Sequence, residues 1–218
     1  MNTLSASLVG NPDLVTTVQS IFNNKGYKFF DSASLYDVNI IGVRSSDPDP
    51  DIFGDSILLI YNDAKGAQLK VYDVTTHPGL YYLKNPIAGT TGTGILVAGQ
   101  YRQAFGLGTH TSHLVGGFTD SYACLTQVVD LPVYRDNVKD GKLYYDPATI
   151  QKGMFEVQIH RAMPNSVTTK VWNWSAACQV FSDSGQFDEF MLVINKSHAL
   201  YGGNFTYTLI GEGDLLGS

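Results

Sequence analysis

Basic residues are scarce in this chain: 14 Lys and Arg stand against 20 Asp and Glu, a formal net charge of −6 over 218 residues. No stripe of cations exists to neutralise phosphates, which excludes nucleic acid as a partner. Long apolar runs are missing too, so no membrane insertion is expected. Residues 1–10 have neither a basic opening nor an apolar stretch long enough for a secretory signal. No internal repeat or low-complexity linker divides the chain, which argues for a single domain over 1–218 with residues 1–36 as a helical N-terminal portion packed on it.

Cysteine occurs only as Cys124 and Cys178. A bridge between them is possible in principle, but nothing in the sequence calls for one. Cofactor and metal motifs are incomplete. The Gly-Thr cluster at 89–94 lacks the Gly-Lys-Ser/Thr ending and following helix of a phosphate loop. In the calcium-like run 136–141, Val138 occupies a position that needs an oxygen ligand, so a hydrated turn is the better reading. His110 and His113 supply two ligands without a third at short spacing, which favours a polar loop beside a cleft over zinc. The acidic run 47–51 reads as a solvated turn, since two prolines hold its carboxylates apart. No cofactor and no metal are expected.

What the chain has in quantity is turn and strand material: 22 glycines, 13 tyrosines and 44% hydrophobic residues, enough for a real core. The fold class expected is β-rich, mainly β with a few helices. Strands are predicted at 38–44, 95–101 and 204–210, and a hairpin at 56–61 and 68–74. A helix opened by Asn11-Pro12 places Leu14, Val15, Val18, Ile21 and Phe22 on one face and closes at Lys25-Gly26.

The stretch with the most chemistry is 154–181, inside a strand-loop-Cys-helix segment over 153–194. Phe155, Val157 and Ile159 alternate with Glu156, Gln158 and His160, so a period-2 strand sends the apolar three inward and leaves His160 available on the polar face. Beyond Cys178, Asp183 and Gln186 are set as an N-cap and its capping-box partner, ahead of Phe187, Phe190, Met191 and Ile194 at helical spacing. A cysteine just before a helix N-terminus, beside an imidazole, is expected to hold a thiolate of lowered pKa. Cys124 lies in an alternating, β-branched run that reads as strand, which disfavours a papain-like peptidoglycan hydrolase pairing Cys124 with His160.

The order His160, Ser175, Cys178 and then a helix resembles the signature of the L,D-transpeptidase (YkuD-like) catalytic domain. The resemblance covers residues 153–194. It implies a β-sandwich with a helix after the catalytic cysteine, Cys178 as acyl-accepting nucleophile, His160 as base, and Ser175 as the residue orienting the site. The backbone N–H groups of Ala177 and Cys178 would face the oxyanion. It further implies a substrate groove near Tyr101 and Arg102 and peptidoglycan stem peptides as substrate, and the polar loop read above would put His110 beside that cleft. Ala176, Ala177 and Gln179-Val180 stand where the family has His, Gly and an arginine-containing segment. Arg161 or Arg102 is then the expected substitute for the missing arginine. With no signal peptide, delivery to the bacterial cell wall is expected through a phage or virion, whose tail or virion proteins would be partners. Hydrolysis and transpeptidation both remain open. Two other classes stand beside this one: a non-catalytic β-rich virion or wall-binding protein retaining the fold, and a zinc peptidase built on His110 and His113 with His77 or His160.

Overall fold

In the computed structural model, which describes residues 1–31, 34–113, 117 and 119–216, the apolar run at 57–61 is the middle of a strand buried on both faces. Ile57, Leu59 and Tyr61 point into the main core, while Leu58 and Ile60 face a second cluster with Leu4, Leu8, Leu14, Val18 and Phe22. Such a strand has no polar face to alternate with, which is why its sequence is continuously apolar.

Two helices, α1 (Thr3–Val9) and α2 (Leu14–Lys25), form that second layer, and Gly26 ends α2 in the left-handed conformation at φ 68°. Strands β1 (Asn39–Arg44), β2 (Asp55–Asp63) and β3 (Gly66–Thr75) follow, β2 and β3 forming the anticipated hairpin in register from Asp55↔Val74 to Asp63↔Gly66. Next come α3 (Leu80–Lys84), β4 (Thr93–Leu96), β5 (Gly99–His113), β6 (Thr119–Gln127), β7 (Leu131–Asp136) and β8 (Gln151–Gly153). The chain ends with β9 (Gln158–Arg161), β10 (Gln179–Phe181), α4 (Ser184–Tyr201), β11 (Phe205–Gly211) and α5 (Glu212–Leu216).

The protein is thus β-rich, as the sequence indicates, but its main sheet does not form the two stacked layers of a sandwich. The order β1-β11-β5-β6-β9-β10-β3-β2 closes on itself as a barrel, and β4, β7 and β8 make a separate three-stranded sheet. Closure depends on the parallel pairing of β1 with β11 and of β9 with β10. On α4, Phe187, Phe190, Met191, Val193 and Ile194 join the barrel's own core cluster.

Residues 95–101 are not one strand, because the chain breaks between β4 and β5 at Val97 and Ala98. The segment with His110 and His113, expected as a loop, is the outer half of β5 and pairs with β6 through His110↔Tyr122 and His113↔Thr119. Asp183 caps α4 by accepting from the Gly185 N–H at 2.8 Å. Gln186 does not complete a capping box, since its Oε1 accepts instead from the Asp73 N–H at 3.0 Å and ties α4 to β3.

One close approach inside the barrel reaches the site. A Cβ at Gly42 would lie 1.9 Å from the Tyr207 hydroxyl oxygen. Glycine there leaves room for the Tyr207 hydroxyl to donate to Gln179 Oε1 at 2.8 Å, while Gln179 Nε2 donates to the Ala177 carbonyl at 3.1 Å. Tyr207→Phe would leave the buried Gln179 oxygen unpaired, at a cost of about 1–3 kcal/mol. Urea unfolding should read this as a lower midpoint with unchanged slope.

Candidate active site

The strand predicted across Phe155 to His160 begins only at Gln158. Val157 and Ile159 are buried as the alternation requires, but residues 154–157 are irregular, and Glu156 sits in the left-handed region at φ 58°. Gln127 shapes this stretch. Its Oε1 accepts from the N–H groups of Phe155 (3.0 Å) and Val157 (3.1 Å), and its Nε2 donates to the carbonyls of Val129 and Gly153 (2.8 Å each). Four bonds from one buried amide fix the entry to β9, and nothing in the sequence marks Gln127 for that role.

On β9, His160 is 1% exposed, so it is not the open polar-face residue that alternation suggests. The reason is the outer half of the β5–β6 hairpin: the His110 ring stacks on the His160 ring with centroids 4.0 Å apart and planes 9° from parallel. His160 Nδ1 lies 2.8 Å from the Arg161 carbonyl, which also accepts from the Tyr122 hydroxyl at 2.8 Å. A carbonyl can only accept, so Nδ1 carries the proton and Nε2 holds the lone pair. Among the described residues Nε2 has no hydrogen-bond partner. Burial, and then the neighbouring His110, pushes the His160 pKa down from 6.5 to about 3.

Strand β10 runs parallel to β9 with Val180↔His160 and Gln179↔Ile159 in register, which brings Cys178 alongside the start of β9. Its sulfur lies 3.9 Å from the Glu156 carbonyl and is faced by the Gln158 N–H. Here the expectation of an activated thiolate fails. Cys178 does not abut a helix N-terminus, because β10 and the Ser182-Asp183 link separate it from α4. Although the residue is only half-buried, enough protein surrounds the sulfur for burial to push its pKa up to about 11; the Gln158 N–H opposes this and Glu156 reinforces it. At neutral pH the resting pair is a thiol and a neutral imidazole.

The turn before β10 is held by its carbonyls. Ser175 Oγ donates to the Cys178 carbonyl at 2.8 Å, and the Gly79 N–H donates to the Ser175 carbonyl at 2.9 Å. Ser175 is buried and acts on the turn, not on the cleft. Among the described residues, the N–H groups of Ala177 and Cys178 donate to no backbone carbonyl. Ala177 is not in the positive-φ region, so the conformation that would demand glycine is absent there. Space for its methyl comes from across the cleft wall, where a Cβ on Gly94 would lie 3.3 Å from the Ala177 Cβ.

Cys178, Ala177, His160 and His110 line one cleft of about 760 Å³. The other predicted site residues lie elsewhere. Arg161 is buried behind Tyr122, its guanidinium 3.9 Å from that ring's centroid and paired with Asp120 at 2.9 Å. Tyr101 donates to the Val97 carbonyl and Arg102 lies over the Phe30 ring, neither facing the cleft. The cleft's arginine is Arg135 on β7, which sequence reasoning missed. Cys124 is buried in the core with its thiol pKa pushed up to about 12, and both cysteines are free. No group of three or more His, Cys, Asp or Glu among the described residues is arranged to hold a metal ion; His77 is buried against Asp55, away from the cleft.

What the fold and site define is a β-rich barrel protein with a free thiol and an imidazole facing one cleft. No protein-family model, curated protein or solved structure matches the chain. No helix among the described residues is long and apolar enough to cross a membrane.

Proposed function

We propose that this protein is a cysteine acyl-transfer enzyme acting on peptidoglycan stem peptides, as an L,D-carboxypeptidase, endopeptidase or L,D-transpeptidase. The reading includes an L,D-transpeptidase-like site and delivery to the bacterial wall by a phage or virion. The observation that carries it is one cleft lined by both Cys178 and His160, eighteen positions apart in sequence, with His160 on β9 and Cys178 immediately before the parallel strand β10.

In the proposed reaction the Cys178 thiol proton passes to His160 Nε2 as the sulfur bonds to the substrate carbonyl carbon. Because the resting pair is neutral, this transfer accompanies attack and does not precede it. The oxyanion is held by the unused N–H groups of Ala177 and Cys178. Collapse breaks the C–N bond, and the leaving amine takes the proton from His160. Water or a second amine then attacks the thioester while His160 accepts its proton, and the thiol is restored. Water gives hydrolysis and an amine gives cross-linking. Cys178→Ala should lower peptide release from purified peptidoglycan by about a thousandfold or more, measured by chromatography and mass spectrometry of the soluble products.

A second reading is favoured by the same pKa directions, which leave the thiol and the imidazole poorly suited to ionise at neutral pH. Under it the protein is a non-catalytic virion or wall-binding module. Wild type and Cys178→Ala would then sediment equally with peptidoglycan, and neither would release peptides.

A further inference from the structure

One cation that lines the cleft, Arg135, has no ion-pair partner among the described residues. Arg135 is the only Arg or Lys among the described residues that line it, and its guanidinium is held in place by neutral groups alone. Nε donates to Gln151 Oε1 at 3.0 Å, Nη1 donates to the Gly92 carbonyl at 3.2 Å, and the group lies 4.4 Å from the centroid of the Phe155 ring. No carboxylate among the described residues is within ion-pairing distance of it. Nη2 donates to none of the described residues. Two hydrogen bonds and an aromatic face have therefore fixed the plane of a fork whose remaining donors are unspent.

A half-buried, immobilised guanidinium without a counter-ion favours an anion, and its planar fork matches a carboxylate. We infer that Arg135 anchors a carboxylate of the peptide substrate, which makes the cleft selective for anionic peptides and sets which bond meets the sulfur. This inference rests on the acyl-transfer reading for the word substrate, but the anion site itself does not. The anchor and the nucleophile turn share a wall: the Cβ position of Gly94 is 3.3 Å from the Ala177 Cβ and 3.6 Å from Arg135 Nη1. Glu156 also lines the cleft, and Arg135 is the one fixed positive charge among the described lining residues to set against it. Arg161, already paired with Asp120, and Arg102, outside the cleft, leave this task to Arg135.

The probes are two alkylating agents of similar size and different charge, iodoacetate and iodoacetamide, with the rate at Cys178 read by peptide mass spectrometry. An anchored anion site should raise the iodoacetate-to-iodoacetamide ratio, and Arg135→Gln should lower that ratio about tenfold. Arg135→Lys, which keeps the charge, should retain most of it, an outcome that a merely structural role would not give. Acetylglycine added to the wild type should slow iodoacetate more than iodoacetamide, which tests the site without any variant. Equal ratios in wild type and Arg135→Gln, or equal slowing of both reagents, would overturn the inference. Alkylation needs no acyl transfer, so a charge preference without peptide release keeps the anchor and removes the enzyme reading, and release without the preference does the reverse.

Discussion

His160→Gln is expected to lower turnover of peptidoglycan peptides by about a hundred- to ten-thousandfold, the range of a lost general base, while the affinity for the peptides changes little. The expectation follows from where the proton sits. Nδ1 is committed to the Arg161 carbonyl, so Nε2 is the lone pair available to the cleft. Glutamine fills similar space and can keep a donor toward that carbonyl, but it offers no group able to take up a proton. Steady-state kinetics should therefore show the loss in kcat with KM nearly constant. A loss confined to KM would mean that His160 only shapes the cleft.

The same substitution should change how stability responds to acid. The His160 pKa is depressed from 6.5 to about 3 by burial, so between those values the unfolded chain holds a proton that the folded chain excludes. The contribution is complete above pH 6.5 and is lost as pH falls toward 3, at up to about 1.4 kcal/mol per unit. Most carboxylates remain ionised between pH 6.5 and 5, which makes that window the informative one. Urea midpoints of the wild type should drop across it, and those of His160→Gln should be flatter. Parallel slopes would show that the imidazole is not the group being held neutral.

Much of this site could be read before the fold, because its signals are local. Alternation at Val157 and Ile159, the Asp183 cap and the helical spacing of Phe187, Phe190 and Ile194 are each decided by neighbours in the chain. That His160 and Cys178 share a cleft follows instead from the resemblance of their order to the L,D-transpeptidase signature. What escaped depends on distant chain. Burial of His160 comes from His110 on β5, and the strength of that burial reverses the expected pKa of the pair. Closure of the barrel depends on β1 pairing in parallel with β11, from the far end of the chain. The resemblance puts Tyr101 and Arg102 on a groove wall, but β5 turns them away from the cleft. Arg135 is not legible as a cleft residue, because its strand is short and contains Pro132, a residue that argues against strand in sequence. Ala177 looked unfavourable at a family glycine position, yet its backbone avoids positive φ and Gly94 makes room for the methyl.

In the proposed reaction Cys178 carries an acyl group during turnover, and that intermediate can be trapped. The protein should be mixed with enzymatically solubilised peptidoglycan fragments, quenched in acid within seconds, digested and examined by mass spectrometry at both cysteines. A hydroxylamine-labile acyl adduct is expected on Cys178 and none on Cys124, with the adduct accumulating in His160→Gln only at a strongly reduced rate. Unmodified Cys178 at every time point, with fragments bound and no amine released, would contradict the enzyme reading and leave a binding module in its place.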